Sequence, residues 1–205
     1  RKCIRVNTLK SSVAEIKKRL SDDWDLKQVP WCKEGLWIEY KHPDSRGRKR
    51  RDIGNLLEHA LGYFYVQEAA SMIPPVVLQP KKDSAVLDLC AAPGSKTTQI
   101  AQMMGNTGLI VANDLDINRL ASLGLNIQRC GVTNTIVTKM YGQQFKRCNL
   151  LFDFILADVV CSGTGTIRKS LQVLEQWSPG LVQRMVKEQK SLARTAFEKL
   201  KPGGT

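Results

Sequence analysis

The rhythm of apolar and polar positions changes after residue 65. Near the start, "CIRVNTL" alternates apolar and polar residues, the two-residue period of a half-buried strand. "SSVAEIKKRL" then sets Val13, Ile16 and Leu20 on one helical face, with Ser12 and Glu15 at capping-box spacing. "GLWIEY" reads as another strand, and "KHPDSRGRKRR" as a basic loop. Together these predict a small α+β unit over residues 1–65.

From residue 66 onward the strands become continuous apolar runs. "SAVLDLC" is the pattern of a strand covered on both faces. "KTTQIAQMM" is helical, "GLIVAND" a strand and "INRLASLGLNIQRC" a helix. "TIVTKM" and "FDFILADVV" are further strands. "SPGLVQRMVKEQKSLARTAFEKL" is a long helix, with Leu181, Met185, Leu192 and Phe197 at roughly helical spacing. Strands alternating with helices predict a parallel, doubly wound sheet over residues 66–205. "KPGGT" is the turn into one more strand. The chain begins at Arg1 rather than Met, and is read as a piece of a longer polypeptide.

Charge and cysteine content narrow the classes. The formal net charge of +12 argues for a polyanionic partner, most simply nucleic acid. A solvated basic surface is the other reading, and it stays open here. Six cysteines stand at 3, 32, 90, 130, 148 and 161 without a CxxC or a usual zinc spacing, and only His42 and His59 could add imidazole. No metal is therefore expected. Scattered cysteines fit a reducing compartment, cytoplasmic or, in a eukaryote, nuclear. There is no run of 18 apolar residues and no secretory signal, so no membrane association is expected. A monomer is expected.

In a doubly wound sheet, ligands bind beyond the carboxyl ends of the strands. The first such strand delivers "DLCAAPGSKTT", where Ala91, Ala92 and Gly94 let a ligand approach the backbone and Lys96 opens the next helix. A phosphate-binding P-loop is excluded: with Lys96 as its lysine, the glycine positions hold Cys90 and Ser95. GxGxxG is absent too. The second strand ends in "VAND". Asp114 there can accept from both hydroxyls of a ribose, or can cap the following helix. An acid with no phosphate signature suits a nucleoside lacking a pyrophosphate, with S-adenosylmethionine the natural candidate. Cys161 follows Asp158 at the end of a later strand, before the turn "SGTG". It is either a nucleophile or a buried thiol without a chemical role.

The motifs taken together carry a resemblance. "DLCAAPGSKTTQIA" and "DVVCSGTGTIRK", with "IRVNTLK" and "YVQEAAS" upstream, look like the Sun/Nop-type RNA (cytosine-5) methyltransferases, in the right order over nearly the whole chain. The resemblance implies a Rossmann-like class I methyltransferase sheet preceded by a small α+β RNA-recognition-like unit. It implies S-adenosylmethionine as methyl donor and structured RNA as acceptor, tRNA ahead of rRNA. It places Cys90, Ala91, Ala92, Pro93, Gly94, Ser95 and Lys96 along the cofactor, Asp114 on its ribose, and Arg119 and Tyr141 beside it. Asp158 falls between the methyl donor and the cytosine. The family's usual Asp is replaced by Tyr141, and its usual Pro before the motif cysteine by Val160.

Carbon 5 of cytosine is a weak nucleophile, and a thiolate added to carbon 6 activates it. A carboxyl at Asp158 can stabilise charge on the ring. By resemblance, Cys161 assists release, and the attacking cysteine comes from a Thr-Cys motif beyond Thr205. Arg46, Arg48, Lys49, Arg50 and Arg51, with Arg168 and Lys169 beside the active loop, are the candidate phosphate contacts. Two other classes stay open: a non-catalytic RNA-binding relative, and a small-molecule methyltransferase, which the charge argues against.

Overall fold

The computed structural model describes residues 2–42, 52–167 and 170–205. The expected RNA contacts Arg46, Arg48, Lys49, Arg50, Arg51, Arg168 and Lys169 lie outside the described residues.

The described residues form two four-stranded sheets. The first contains β1 (Lys2–Val6), β2 (Trp24–Gln28), β3 (Gly35–Tyr40) and β4 (Phe64–Val66), antiparallel in the order β2-β3-β1-β4. Helix α1 (Val13–Leu20) buries Ile16 and Leu20 against Ile4, Val6, Leu36 and Phe64. Its cap is half of the expected box. Ser12 Oγ accepts from the Glu15 N–H at 3.1 Å, but the Glu15 carboxylate turns to Ser11 and Arg19. The short β2 was not anticipated: Asp25, Lys27 and Gln28 give it the polar load of a loop, and it sits at the sheet edge.

Short helices α2 (Leu57–Ala60) and α3 (Ile73–Leu78) lead to the second sheet. Its strands are β5 (Ala85–Asp88), β6 (Leu109–Asn113), β7 (Thr135–Thr138) and β8 (Phe154–Leu156). They are parallel in the order β7-β6-β5-β8, the doubly wound arrangement expected. Helices α4 (Ser95–Met104) and α5 (Ile117–Cys130) connect β5 to β6 and β6 to β7. After β8 come α6 (Gln172–Gln176) and α7 (Pro179–Lys199). Thr205 lies along β8, donating to Asp153 O at 3.1 Å and accepting from Ile155 N at 2.9 Å. The chain winds from β5 outward to β7, then returns to place β8 on the other side of β5. The crevice at that reversal is where such sheets hold ligands.

In α7, Leu192 is buried while Phe197 is 80% exposed. Five residues of helix turn the side chain well past the buried stripe, so the apolar spacing over-reads the buried face. Among the described residues, no helix is long and apolar enough to cross a membrane.

Helix α4 is buried on nearly every side although six of its ten residues are polar. Ile100, Ala101 and Met104 pack on the second sheet. Thr98 and Gln99 face the first, where Arg5 of β1 meets them. The Arg5 side chain is fully buried. It donates to Thr98 Oγ1 at 2.8 Å, to Ser95 O at 2.5 Å and to Gln67 Oε1, and its plane lies over the Tyr65 ring. Burial pushes its guanidinium down to about 10, so it stays charged at neutral pH. Two residues on, Asn7 donates to Gly62 O and to Cys130 O, both at 2.8 Å, and Lys10 Nζ reaches Arg129 O at 2.8 Å. The "IRVNTLK" segment thus fastens the first sheet to the helices of the second.

Arg5→Ala removes the donor to the buried Gln67 Oε1 and Thr98 Oγ1 and empties a fully buried site, and is expected to lower unfolding stability by about 3 kcal/mol. Arg5→Lys keeps the charge but not the fork and restores only part of it. Urea unfolding of the three proteins checks both; a Lys variant as stable as the wild type would contradict the fork's role.

Candidate active site

The site is built at the carboxyl ends of the second sheet's strands. Asp88 ends β5 fully buried, and its carboxylate accepts from the Thr97 hydroxyl at 2.8 Å, tying the two ends of the loop together. Burial pushes the Asp88 carboxyl up from 3.8 to about 6. Between them the loop runs through Cys90, Ala91, Ala92, Pro93 and Gly94. Gly94 has φ +103°, and a Cβ there would lie 2.8 Å from Leu123 Cδ1, so glycine is required on both counts. The Cys90 thiol is pushed up to about 11, chiefly by burial, which keeps it protonated at neutral pH.

At the end of β6, Asn113 joins three strand ends. Its amide donates to Leu89 O at 3.1 Å and Met140 O at 3.0 Å, and its oxygen accepts from Met140 N at 3.1 Å. Asp114 is 4% exposed and accepts from the Ala92 N–H at 3.2 Å. Arg119 pairs with it at 3.2 Å and also reaches Ala92 O at 2.5 Å. Asp114 does not cap the next helix. Asp116 does, accepting from Asn118 N at 2.8 Å and Arg119 N at 3.3 Å. The helix-cap reading of Asp114 therefore does not hold; its carboxylate instead accepts from the Asp116 N–H at 3.1 Å. Asp114, Arg119, Cys90, Tyr141 and Val160 line one cleft of about 230 Å³, closed behind by Glu188 and Leu192 of α7. Tyr141 is 58% exposed at its rim.

Across the reversal between β5 and β8, Lys96 Nζ meets Asp158 at 2.5 Å. Lys96 thus faces the segment after β8. Three residues past Asp158, Cys161 is exposed, with the Gly163 N–H donating to its sulfur at 3.4 Å. Cys161 is therefore not a buried thiol. By contrast, Cys3, Cys32 and Cys130 are buried, and burial raises each thiol above its usual range. Among the described residues, no three His, Cys, Asp or Glu side chains are grouped to hold a metal ion.

Residues 75–205 match the family described as 16S rRNA methyltransferase RsmB/F, and residues 1–69 match the N-terminal domain of 16S rRNA methyltransferase RsmF. The chain belongs to the RsmB/F family. The likeness to Sun/Nop-type enzymes read from its motifs is borne out, as is the class I methyltransferase fold. A ribosomal RNA small subunit methyltransferase F from Aliivibrio fischeri (strain MJ11) is 46% identical over 208 residues, matching 100% of this chain and 43% of the relative. That of Escherichia coli O81 (strain ED1a) is 43% identical over 209 residues, with the same coverage. The chain thus spans less than half the length of these relatives. A solved methyltransferase homologue from Pyrococcus horikoshii is 39% identical with a TM-score of 0.83, over 99% of this chain and 62% of that one. NSun6 from Pyrococcus horikoshii, solved with SFG, shares the fold at 23% identity and a TM-score of 0.86, over 99% of this chain and 73% of that one.

Several RsmB/F-site residues were not foreseen. Lys96 was expected along the cofactor loop, and its pairing with Asp158 needs the β5–β8 adjacency that only the sheet order supplies. Asn113 left a faint signal, an amide closing an apolar strand beside Asp114. Glu188 left none, since polar residues on an amphipathic helix look like a solvated face.

Asp88 binds its proton more tightly folded than unfolded. The stabilisation this gives is whole below pH 4 and is lost as pH rises through about 6. Asp88→Asn is expected to gain roughly 3 kcal/mol on the wild type between pH 4 and 7.5. Denaturant unfolding of both proteins at the two pH values measures it, and a pH-independent difference would contradict it.

Proposed function

We propose that this protein transfers a methyl group from S-adenosylmethionine to carbon 5 of a cytosine in RNA of the small ribosomal subunit. The observation that carries it is the Lys96–Asp158 pair at 2.5 Å across the strand reversal, with exposed Cys161 three residues on. In the relatives' names the RNA is that of the small ribosomal subunit, so rRNA replaces tRNA as the first expectation.

The loop fits the cofactor. Cys90, Asp114, Arg119 and Tyr141 share the cleft: Asp114 offers a carboxylate held by Arg119 and Ala92, Tyr141 offers an aromatic face at the rim, and the buried Ala91 and Ala92 brace the loop behind them. Residues Cys90 to Lys96, Asp114, Arg119 and Tyr141 would hold the cofactor, whose bound form supplies an electrophilic methyl group. Asp158 in its protonated form donates to ring nitrogen 3 and so stabilises the negative charge that builds there as the thiolate attacks. A thiolate adds to carbon 6, and carbon 5 takes the methyl group. A base removes the carbon 5 proton as the thiolate leaves. In this reading the attacking cysteine comes from a Thr-Cys motif following Thr205, and Cys161 assists release. The division into two units belongs to the same proposal, with the boundary expected at 65/66 moved past β4, whose Val66 still pairs with Ile4 in the first sheet, the first unit guiding RNA and Arg48, Arg50, Arg168 and Lys169 meeting its phosphates. A target base in paired RNA is first turned out of its stack.

Full-length protein with labelled S-adenosylmethionine and small-subunit rRNA is expected to yield labelled 5-methylcytidine after digestion to nucleosides. Its absence while cofactor binds would favour a non-catalytic RNA-binding role. Cys161→Ala should accumulate a covalent protein–RNA adduct on a denaturing gel. Lost methylation without an adduct would make Cys161 the attacker.

Gly94→Ala tests the cofactor loop. With its positive φ and the Leu123 contact, it should weaken S-adenosylmethionine binding by calorimetry at least ~10-fold, about 1.4 kcal/mol. Unchanged affinity would remove the loop from the cofactor.

A further inference from the structure

The acid–cysteine segment is held from both sides. Lys96 reaches Asp158 from the first turn of α4. From α7, Gln189 Nε2 donates to the Val160 carbonyl at 2.9 Å, one residue before Cys161. Val160 stands where the resembling family has proline. Valine lacks the ring that locks φ, so the backbone leading into Cys161 has more freedom to rotate.

The helix that supplies Gln189 is itself registered against the cleft. The preceding residue, Glu188, accepts from Gln143 Nε2 at 2.6 Å. One turn further, Leu192 lies so close to Gly142 that a Cβ there would come within 2.4 Å of its Cδ2. This stretch of α7 therefore grips the turn that carries Tyr141 while Gln189 grips the segment that carries Cys161. The two walls of the cleft share one rigid support.

We propose that Gln189 is a positioning residue. By donating to the Val160 carbonyl it sets Asp158 and Cys161 at their height above the strand ends, a restraint supplied from outside the segment where a proline ring would supply it from within. The inference rests on the proposed function of this site. An amide can donate to a carbonyl, whereas a carboxylate only accepts. Gln189→Glu therefore keeps the shape and removes the donor.

The test uses full-length protein, labelled S-adenosylmethionine and small-subunit rRNA. Gln189→Glu is expected to lower kcat by about 10- to 100-fold, the scale of a misplaced reacting group, with the KM for S-adenosylmethionine within about 2-fold of wild type. Amide hydrogen exchange over residues 158–163 should rise while that of β5 and β6 stays unchanged. Adding Val160→Pro to Gln189→Glu should recover part of kcat and slow that exchange, which a merely structural role for Gln189 would not produce. Wild-type kcat and exchange in Gln189→Glu would overturn the proposal, as would a loss of kcat with unchanged exchange. If the wild type itself makes no 5-methylcytidine, the reading of the site falls instead, and the exchange measurement still reports whether Gln189 restrains the segment.

Discussion

A single buried guanidinium organises much of this molecule. Arg5 belongs to the first sheet by sequence and to the second by its hydrogen bonds, which run to uncharged oxygens on α4 and on Gln67. Removing a charge from water is costly, and neutral acceptors return that cost only when several converge with good geometry. The two sheets must therefore meet in one register for both Nη atoms of Arg5 to find their acceptors, while its buried Nε is left without one. Asn7, Lys10 and Arg129 repeat the device along the same seam, each giving its donors to backbone carbonyls across it.

That register matters because α4 starts where the loop after β5 ends. Ser95, whose carbonyl Arg5 holds, directly precedes Lys96, and Lys96 holds Asp158. A chain of polar contacts so runs from the first sheet, through the first turn of α4, to the segment after β8. On the other flank, α7 braces the turn at Tyr141 and the carbonyl before Cys161. The cleft is lined by loops, but its loops are pinned to packed helices.

The fold class was legible because its signals are local. Continuous apolar runs alternating with helical patterns specify a parallel sheet, and a first loop of small residues marks its ligand edge. Buried polar residues were harder to interpret. "TTQ" in α4 looks like one wet face of a helix, yet Thr97, Thr98 and Gln99 are buried, Thr97 against Asp88 of the second sheet and the other two against Arg5 of the first. Asp114 and Asp116 are equally plausible caps by composition, and only the path of the chain decides between them. Phe197 matched a helical spacing and is exposed, since periodicity reports a stripe and not its width. The pairings Lys96–Asp158 and Gln189–Val160 span 62 and 29 residues, beyond the reach of any local pattern.

The Lys96–Asp158 pair also acts as an admission rule. Anything that settles at the strand reversal competes with a contact the protein already makes to itself. A lone phosphate can satisfy the ammonium but leaves the carboxylate without its cation, and a lone cation does the reverse. A guest with an acceptor and a donor on adjacent atoms can replace both halves at once. Selectivity at this point is then set less by the room available than by the need to return, in a single encounter, what each partner gives up.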